Sequence, residues 1–168
     1  DINGAVHFED AGQSPSYSHW FGTDAVGRDV FTITIRAAFF SLKIAFGVVL
    51  FSVLLGVPIG MFAGLSGKKT EEIIMRITDG FLAFPPLILP LVITTILGPS
   101  LNNVILGISA SWFPWYVRIA RSQSLVISSL DYVSISKSMG AGKRHIIKKH
   151  ILPNSINPIL TQASIDAG

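Results

Sequence analysis

Few residues in this sequence are of a type that could do chemistry. Four histidines, His7, His19, His145 and His150, are the groups able to hold a metal or move a proton near neutral pH. Their spacing does not gather them into a ligand set. With no cysteine in the chain, neither a thiolate metal site nor a disulfide is available. His145 and His150 are expected to face solvent or a partner rather than a metal. Two stretches, Gly64-Leu-Ser-Gly-Lys68 and Gly140-Ala-Gly-Lys143, carry pieces of a phosphate-binding loop. That loop needs Gly-x-x-x-x-Gly-Lys-Ser/Thr, so that successive backbone N–H groups and the lysine close on one polyphosphate. Neither stretch has the spacing, so no enzyme site, metal site or bound cofactor is expected here. Near the start, Asp24, Arg28 and Asp29 alternate in sign, and an Asp–Arg brace holding a loop is expected from them in preference to a partner site.

The rest of the chain is built for an apolar solvent. It is 49% hydrophobic and 14% charged, with a mean hydropathy of +0.55, too little charge to cover the surface of a soluble domain. The runs Ile44–Leu65 and Gly80–Val117 contain no Asp, Glu, Lys or Arg. A bilayer-spanning helix needs about 20 apolar residues, so the first run holds one span and the second holds two. Spans are expected at 44–65, 80–97 and 104–120, with the start of another at 154–168. The turn signal 98–103, Gly-Pro-Ser-Leu-Asn-Asn, separates the second from the third. Pro85, Pro86, Pro90 and Pro114 imply kinked spans whose neighbours satisfy the freed carbonyls. Gly56, Gly60 and Gly64 form a small-residue face at spacing four, suited to close approach of another helix. Trp112, Trp115 and Tyr116 are expected in an interfacial aromatic belt. Beginning at Asp1 without a signal-peptide pattern and stopping at Gly168 in an apolar stretch, the chain is expected to be an internal piece of a longer protein.

Charge gives the orientation. Lys68, Lys69 and Arg76 in the 66–79 connector fall on the same side as Arg118, Arg121, Lys137, Lys143, Arg144, Lys148 and Lys149. The opposite side has Arg28, Arg36 and Lys43 beside five acids, so the 118–150 segment is expected in the cytoplasm. That segment is expected to form two short helices about Gly140-Ala-Gly142, with Asp131 as N-cap, glycine supplying a positive φ, and Pro153 ending the second helix. Ile146, Ile147 and Ile151 share one face of it, away from the basic residues. Such a hairpin could dock another protein, or it could be a basic loop packed on its own spans. From the residues alone both readings stand, and so does a weaker one, a membrane-tethered helix-turn-helix nucleic-acid reader.

The segment Asp131-Tyr-Val-Ser-Ile-Ser-Lys-Ser-Met-Gly140 through His150-Ile-Leu-Pro153-Asn154 resembles the cytoplasmic EAA loop of binding-protein-dependent ABC importer permeases. Phe21-Gly-Thr-Asp-Ala-Val-Gly-Arg-Asp-Val30 is similar to the Gly-Thr-Asp-x-x-Gly-Arg-Asp signature of the dipeptide, oligopeptide and nickel branch. Met75-Arg-Ile-Thr-Asp79, Leu82-Ala-Phe-Pro85 and Leu97-Gly-Pro-Ser100 also look like that branch. The resemblance implies an all-α membrane protein with the type I ABC importer transmembrane fold, a kinked helix bundle with cytoplasmic coupling helices. Residues 1–35 would be extracytoplasmic and 36–168 an incomplete permease domain with a coupling loop at 121–153. Ser134, Ile135, Ser136, Met139, Gly140, Ala141, Ile146, Ile147 and Pro153 would meet a cytoplasmic ATPase. Gly22, Thr23, Asp24, Gly27, Arg28 and Asp29 would form the extracytoplasmic motif. Ser134-Ile135-Ser136 stands where the family pattern has Glu-Ala-Ala, which removes a carboxylate from the expected contact. The implied partners are a second homologous permease, two ATPase subunits that bind ATP and Mg, an extracytoplasmic solute-binding protein, and the lipid bilayer of a prokaryotic inner membrane crossed several times, with no nucleic acid. Peptides are the implied solute; nickel, oligosaccharides, or a non-transporting anchor that recruits a cytoplasmic partner are the alternatives.

Overall fold

In an apolar solvent, backbone N–H and C=O groups must find each other within the chain, and helices do this locally. The computed structural model describes residues 8–167, and among them the single β feature is an antiparallel bridge between Thr23 and Asp29. His7, the first seven residues of the expected 1–35 segment, and Gly168 of the expected 154–168 span lie outside the described residues. After a short 3-10 turn, Phe8–Asp10, come α1 (Val30–Gly64), α2 (Lys68–Leu82), α3 (Ile88–Leu97), α4 (Leu101–Ser128), α5 (Asp131–Ser138), α6 (Lys143–Ile146), a π turn (Ile147–Ile151) and α7 (Leu152–Ala167). Contacts divide the chain into two units, Asp1–Lys43 and Ile44–Gly168.

In the first unit, a braced loop leads into the start of α1. Asp29 caps that helix: its Oδ2 accepts from the Thr32 amide at 2.8 Å and from the Thr32 hydroxyl at 2.6 Å. Trp20 and Phe21 pack on Phe31 in the first turn, with ring centroids 5.1 and 5.3 Å away.

In the second unit, the glycine face of α1 meets α4. A Cβ on Gly56 would stand 2.7 Å from Tyr116 Cβ, one on Gly60 2.8 Å from Ala120 Cβ, and one on Gly64 2.6 Å from Ser124 Cβ. The partners advance by four as the glycines do, so the two helices run in the same direction with backbones in contact. The chain therefore turns back between them. α1 is the helix among the described residues that is long and apolar enough to cross a bilayer alone. Its other face leaves Phe46, Leu50, Leu54 and Phe62 exposed, which suits lipid.

The return path is not one continuous helix. The expected 80–97 segment is divided: α2 runs through Gly80 to Leu82, the chain turns at 83–87, and α3 begins at Ile88. Pro85 and Pro86 together remove two helical N–H donors, which breaks the helix where one proline would kink it. At ten residues α3 is only about 15 Å long. It packs along α4, where Gly107 leaves room for Pro90. Pro90 has no N–H to give the carbonyl of Pro86, and the Ser111 hydroxyl on α4 donates to that carbonyl at 3.0 Å instead. The 98–103 turn is closed by side chains. Ser100 Oγ accepts from the Asn103 amide, and Asn103 Nδ2 donates to the carbonyls of Leu97 and Gly98 at 3.0 and 2.9 Å.

α4 continues past the expected end of its span at 120 to Ser128, and its charged half is tied to α2. Arg118 Nη2 lies 2.6 Å from Asp79 Oδ1, and Arg121 Nε lies 2.6 Å from Glu71 Oε1. A core of Val57, Met61, Tyr116, Ala120, Ile127, Val133, Ile146, Ile151 and Ile159 joins α1, α4, both hairpin helices and α7. Tyr116 is fully buried in it rather than placed in a lipid-facing belt, whereas Trp115 is half exposed.

The helix contact gives a direct expectation. Gly60→Leu must push α1 off α4 and should lower stability by about 1–3 kcal/mol or more. Gly67→Ala, where a Cβ meets nothing within 4 Å, should stay within about 0.5 kcal/mol. Thermal unfolding of the detergent-solubilised protein would check both.

Candidate functional site

The hairpin of α5 and α6 is built around one backbone requirement. α5 ends in a Schellman closure: the Gly140 amide donates to the Lys137 carbonyl at 2.9 Å and the Ala141 amide to the Ser136 carbonyl at 3.1 Å. This needs a left-handed residue, and Gly140 takes it with φ +89°. Asp131 is the first residue of α5 and makes no cap; Leu130 occupies the cap position. An acid in the first turn is favoured there by the helix dipole without a capping bond. Pro153 does not end the second helix. Lys143–Ala167 is continuously helical, and the π turn Ile147–Ile151 immediately before Leu152-Pro153 widens the helix where a proline ring would otherwise crowd the preceding turn.

The expected contact residues fall into two sets. Ile146 is buried, and Ile147 and Ala141 pack against the core that Val133 and Ile151 complete. These residues hold the hairpin on α1, α4 and α7, with Ile146 buried and Ala141 and Ile147 partly exposed. Ser134, Ile135, Met139 and Gly140 face outward, with Ile135 60% and Met139 83% exposed. Tyr132, Ile135 and Met139 follow helical spacing and make an exposed apolar stripe along α5. Ser136 is half-buried and clips the helices together through His150 Nε2 at 3.3 Å, while Tyr132 packs on the same imidazole, centroids 5.6 Å apart. Pro153 is exposed at the start of α7. One face of the hairpin packs on the helices, and the other is open.

Lysines seal the junction. Lys137 Nζ donates to the Ser128 carbonyl at 3.2 Å at the end of α4, and Lys143 Nζ sits 5.8 Å from the Phe62 ring centroid near the end of α1. Both complement the negative ends of those helices and border a cavity of about 280 Å³ that Gly64, Ser66 and Ser128 also line. Arg144, His145, Lys148 and Lys149 rim a separate open hollow. Among the described residues no group of three His, Cys, Asp or Glu could hold a metal.

The Gly22–Asp29 motif, expected outside the membrane, is a self-braced turn. Gly22 and Gly27 take φ +73° and +77°, and a Cβ on Gly22 would run into the Gln13 carbonyl. Buried Thr23 accepts from the Gln13 amide at 2.9 Å and donates to the Asp10 carbonyl. Asp24 accepts from the amides of Arg28 and Val26 and from the Arg28 guanidinium at 2.7 Å. The Arg28 amide is foremost in holding its carboxyl below the usual range. Asp29 is lowered by the Thr32 hydroxyl first, then by the Thr32 amide and His19.

The sequence profile for the inner membrane component of binding-protein-dependent transport systems matches residues 56–168. The chain belongs to that family. Its fold is the all-α transmembrane domain of ABC importers. It is 42% identical to the probable D,D-dipeptide transport system permease protein DdpC of Escherichia coli, over 92% of this chain and 52% of that protein. It is 39% identical to the dipeptide transport system permease protein DppC of Alkalihalophilus pseudofirmus, over 93% and 51%. It is 32% identical to the glutathione transport system permease protein GsiD of Pectobacterium atrosepticum, over 100% and 56%. The chain spans about half the length of the curated relatives it matches.

Sequence reasoning did not find the Tyr116–Asp166 contact, the Lys137 seal or the two ion pairs to α2, because each joins residues remote in the chain or on a different element. The motif's electrostatics give a pH expectation. Carboxyls held below the ordinary value near 3.8 stabilise the loop above that pH, and the stabilisation is lost as pH falls through their lower, folded-state values. Protection of the Val26, Arg28 and Thr32 amides relative to the unfolded chain should hold from neutral pH to about 4 and fall below it. Loss of protection already at pH 6 would contradict the brace.

Proposed function

We propose that this chain is part of the permease subunit of an ATP-driven importer for peptides, crossing the inner membrane several times. In this reading α1 and α4 are full crossings and α3 with its flanking turns makes the return. The α5–α6 hairpin docks on a cytoplasmic ATPase that is a separate chain and binds ATP and Mg. A second homologous permease, a second ATPase and an extracytoplasmic solute-binding protein complete the importer. Peptide as solute is supported by relatives whose names specify dipeptide, D,D-dipeptide and glutathione transport.

The observation that carries this reading is the division of the hairpin. Val133, Ile146 and Ile151 root it in the helix bundle, while Tyr132, Ile135 and Met139 stand outward beside Gly140. An apolar stripe rigidly fixed to the helices is what a partner must grip if its movement is to rearrange them. With Ser134 in place of a carboxylate, the grip rests on apolar contact and on the backbone at Gly140.

The full-length permease, reconstituted with its ATPases and binding protein, tests this. Gly140→Trp combines a strained left-handed backbone, about 1–2 kcal/mol, with a bulky group in open space on the docking side. Peptide uptake should fall at least tenfold while the helices stay folded by circular dichroism. Normal uptake by that variant would sink the docking assignment.

A further inference from the structure

Two lysines of the hairpin meet at one cavity with hydrogen-bonding capacity to spare. Lys137 of α5 and Lys143 of α6 border the space of about 280 Å³ walled by Gly64, Leu65 and Ser66 at the end of α1 and by Ser128 at the end of α4. An ammonium has three N–H donors. Lys137 gives one to the Ser128 carbonyl, and Lys143 lies over the Phe62 ring. The Ser66 and Ser128 hydroxyls donate instead to the carbonyls of Phe62 and Leu125, at 2.7 and 3.1 Å, so the ammonium groups are the side-chain donors left to the cavity.

No carboxylate neutralises them. Among the described residues neither lysine forms an ion pair, and the sequence holds no acid from Tyr132 to Ile165. Glu71, Glu72 and Asp79 are each paired with an arginine, and Asp131 stands at the far end of α5, about 9 Å along the helix from Lys137. Exposed Lys68 and Lys69 follow Ser66 closely in the chain and add to the positive field.

The cavity lies where hydrocarbon gives way to headgroups. The uncharged run of α1 ends at Leu65, and Arg121 of α4 stands level with Gly60 and Gly64, so the polar layer begins within the last turns of α1. Phe46, Leu50, Leu54, Pro58 and Phe62 are exposed at spacing four, an apolar stripe that runs down α1 to the ring under Lys143. An acyl chain laid on that stripe brings its headgroup phosphate to the two ammonium groups. Lys137 follows buried Val133 by one turn and so points away from Tyr132, Ile135 and Met139, which leaves that open face free.

We infer that Lys137 and Lys143 form a binding site for the headgroup of an anionic phospholipid. The lipid phosphate accepts from both ammonium groups and ties α5 and α6 to the end of α1; basic pockets between spans suit such headgroups. The site needs the membrane but neither the solute nor the ATPase.

The test places the complete importer in nanodiscs of phosphatidylcholine with a small fraction of photoactivatable phosphatidylglycerol, and locates the crosslinks by mass spectrometry. Residues 62–66 should be labelled at least about fivefold more than by the matching phosphatidylcholine probe, and unlabelled phosphatidylglycerol should compete. Lys137→Gln and Lys143→Gln should each lower that labelling about fivefold, the size of one basic residue at an anionic surface, and leave labelling of α3 unchanged. Lys143→Gln removes no hydrogen bond of the hairpin, so its effect is separate from folding, and Lys143→Arg should keep the labelling. Equal labelling by the two probes, or full labelling of Lys143→Gln, would overturn the site. Displacement by soluble glycerol phosphate as effective as by lipid would make it a site for a free anion and overturn it too. So would labelling that appears in the permease alone and is lost when the ATPases bind, because the lysines would then serve the ATPase.

Discussion

The architecture of the second unit depends on the backbone contact between α1 and α4. Gly56, Gly60 and Gly64 bring the helices so close that a single methyl group at any of them would collide with Tyr116, Ala120 or Ser124. In lipid, apolar side chains gain nothing by leaving solvent for one another, so close van der Waals approach is what holds helices together. This contact fixes the rotation of α4. That rotation turns Tyr116 and Ala120 into the core with Met61, and leaves Arg118 to Asp79 and Arg121 to Glu71 on another side. Ile127, at the end of the same helix, then meets Val133 and Ile146, so the hairpin is seated by the same packing.

Polar groups are satisfied where the helices break. Ser111 supplies the hydrogen bond that Pro90 withholds from the Pro86 carbonyl, Asn103 closes the end of α3, and Lys137 closes the end of α4. Two buried hydroxyls, Ser52 and Ser155, have no hydrogen-bond partner among the described residues. Ser155 lies on the face of α7 that carries Ile151 and Ile159, one turn beyond the π turn. The π turn and the unpartnered Ser155 hydroxyl both lie on the segment joining the hairpin to α7, through which a movement of the hairpin would pass.

What was legible in the sequence followed rules that act locally. Long uncharged runs announced the apolar helices, glycines at spacing four announced a contact face, and the Gly98-Pro99 turn carried its own breakers. The Gly140 turn was legible because one left-handed residue decides it. The division of the 80–97 segment was not, because prolines that kink a helix singly break it when adjacent. Periodicity identified the Ile146, Ile147 and Ile151 face but not whether it met a partner or the chain's own helices; only packing decides that. Pro153 misled because the π turn before it relaxes the expected clash. Asp131 misled because an acid is favoured in the first turn as well as at the cap. Tyr116 and Asp166 are fifty residues apart, and no local rule connects them.

The hairpin has one face rooted in the helix bundle and one face open, the face proposed to meet an ATPase. Maleimide labelling of single cysteines in the assembled full-length importer addresses both faces in one measurement. Met139→Cys should label rapidly in the permease alone and be protected once the ATPase is bound, and Ile146→Cys should resist labelling in both states. A Met139→Cys that labels equally well with the ATPase bound, or an Ile146→Cys that labels freely in the folded permease, would contradict the account.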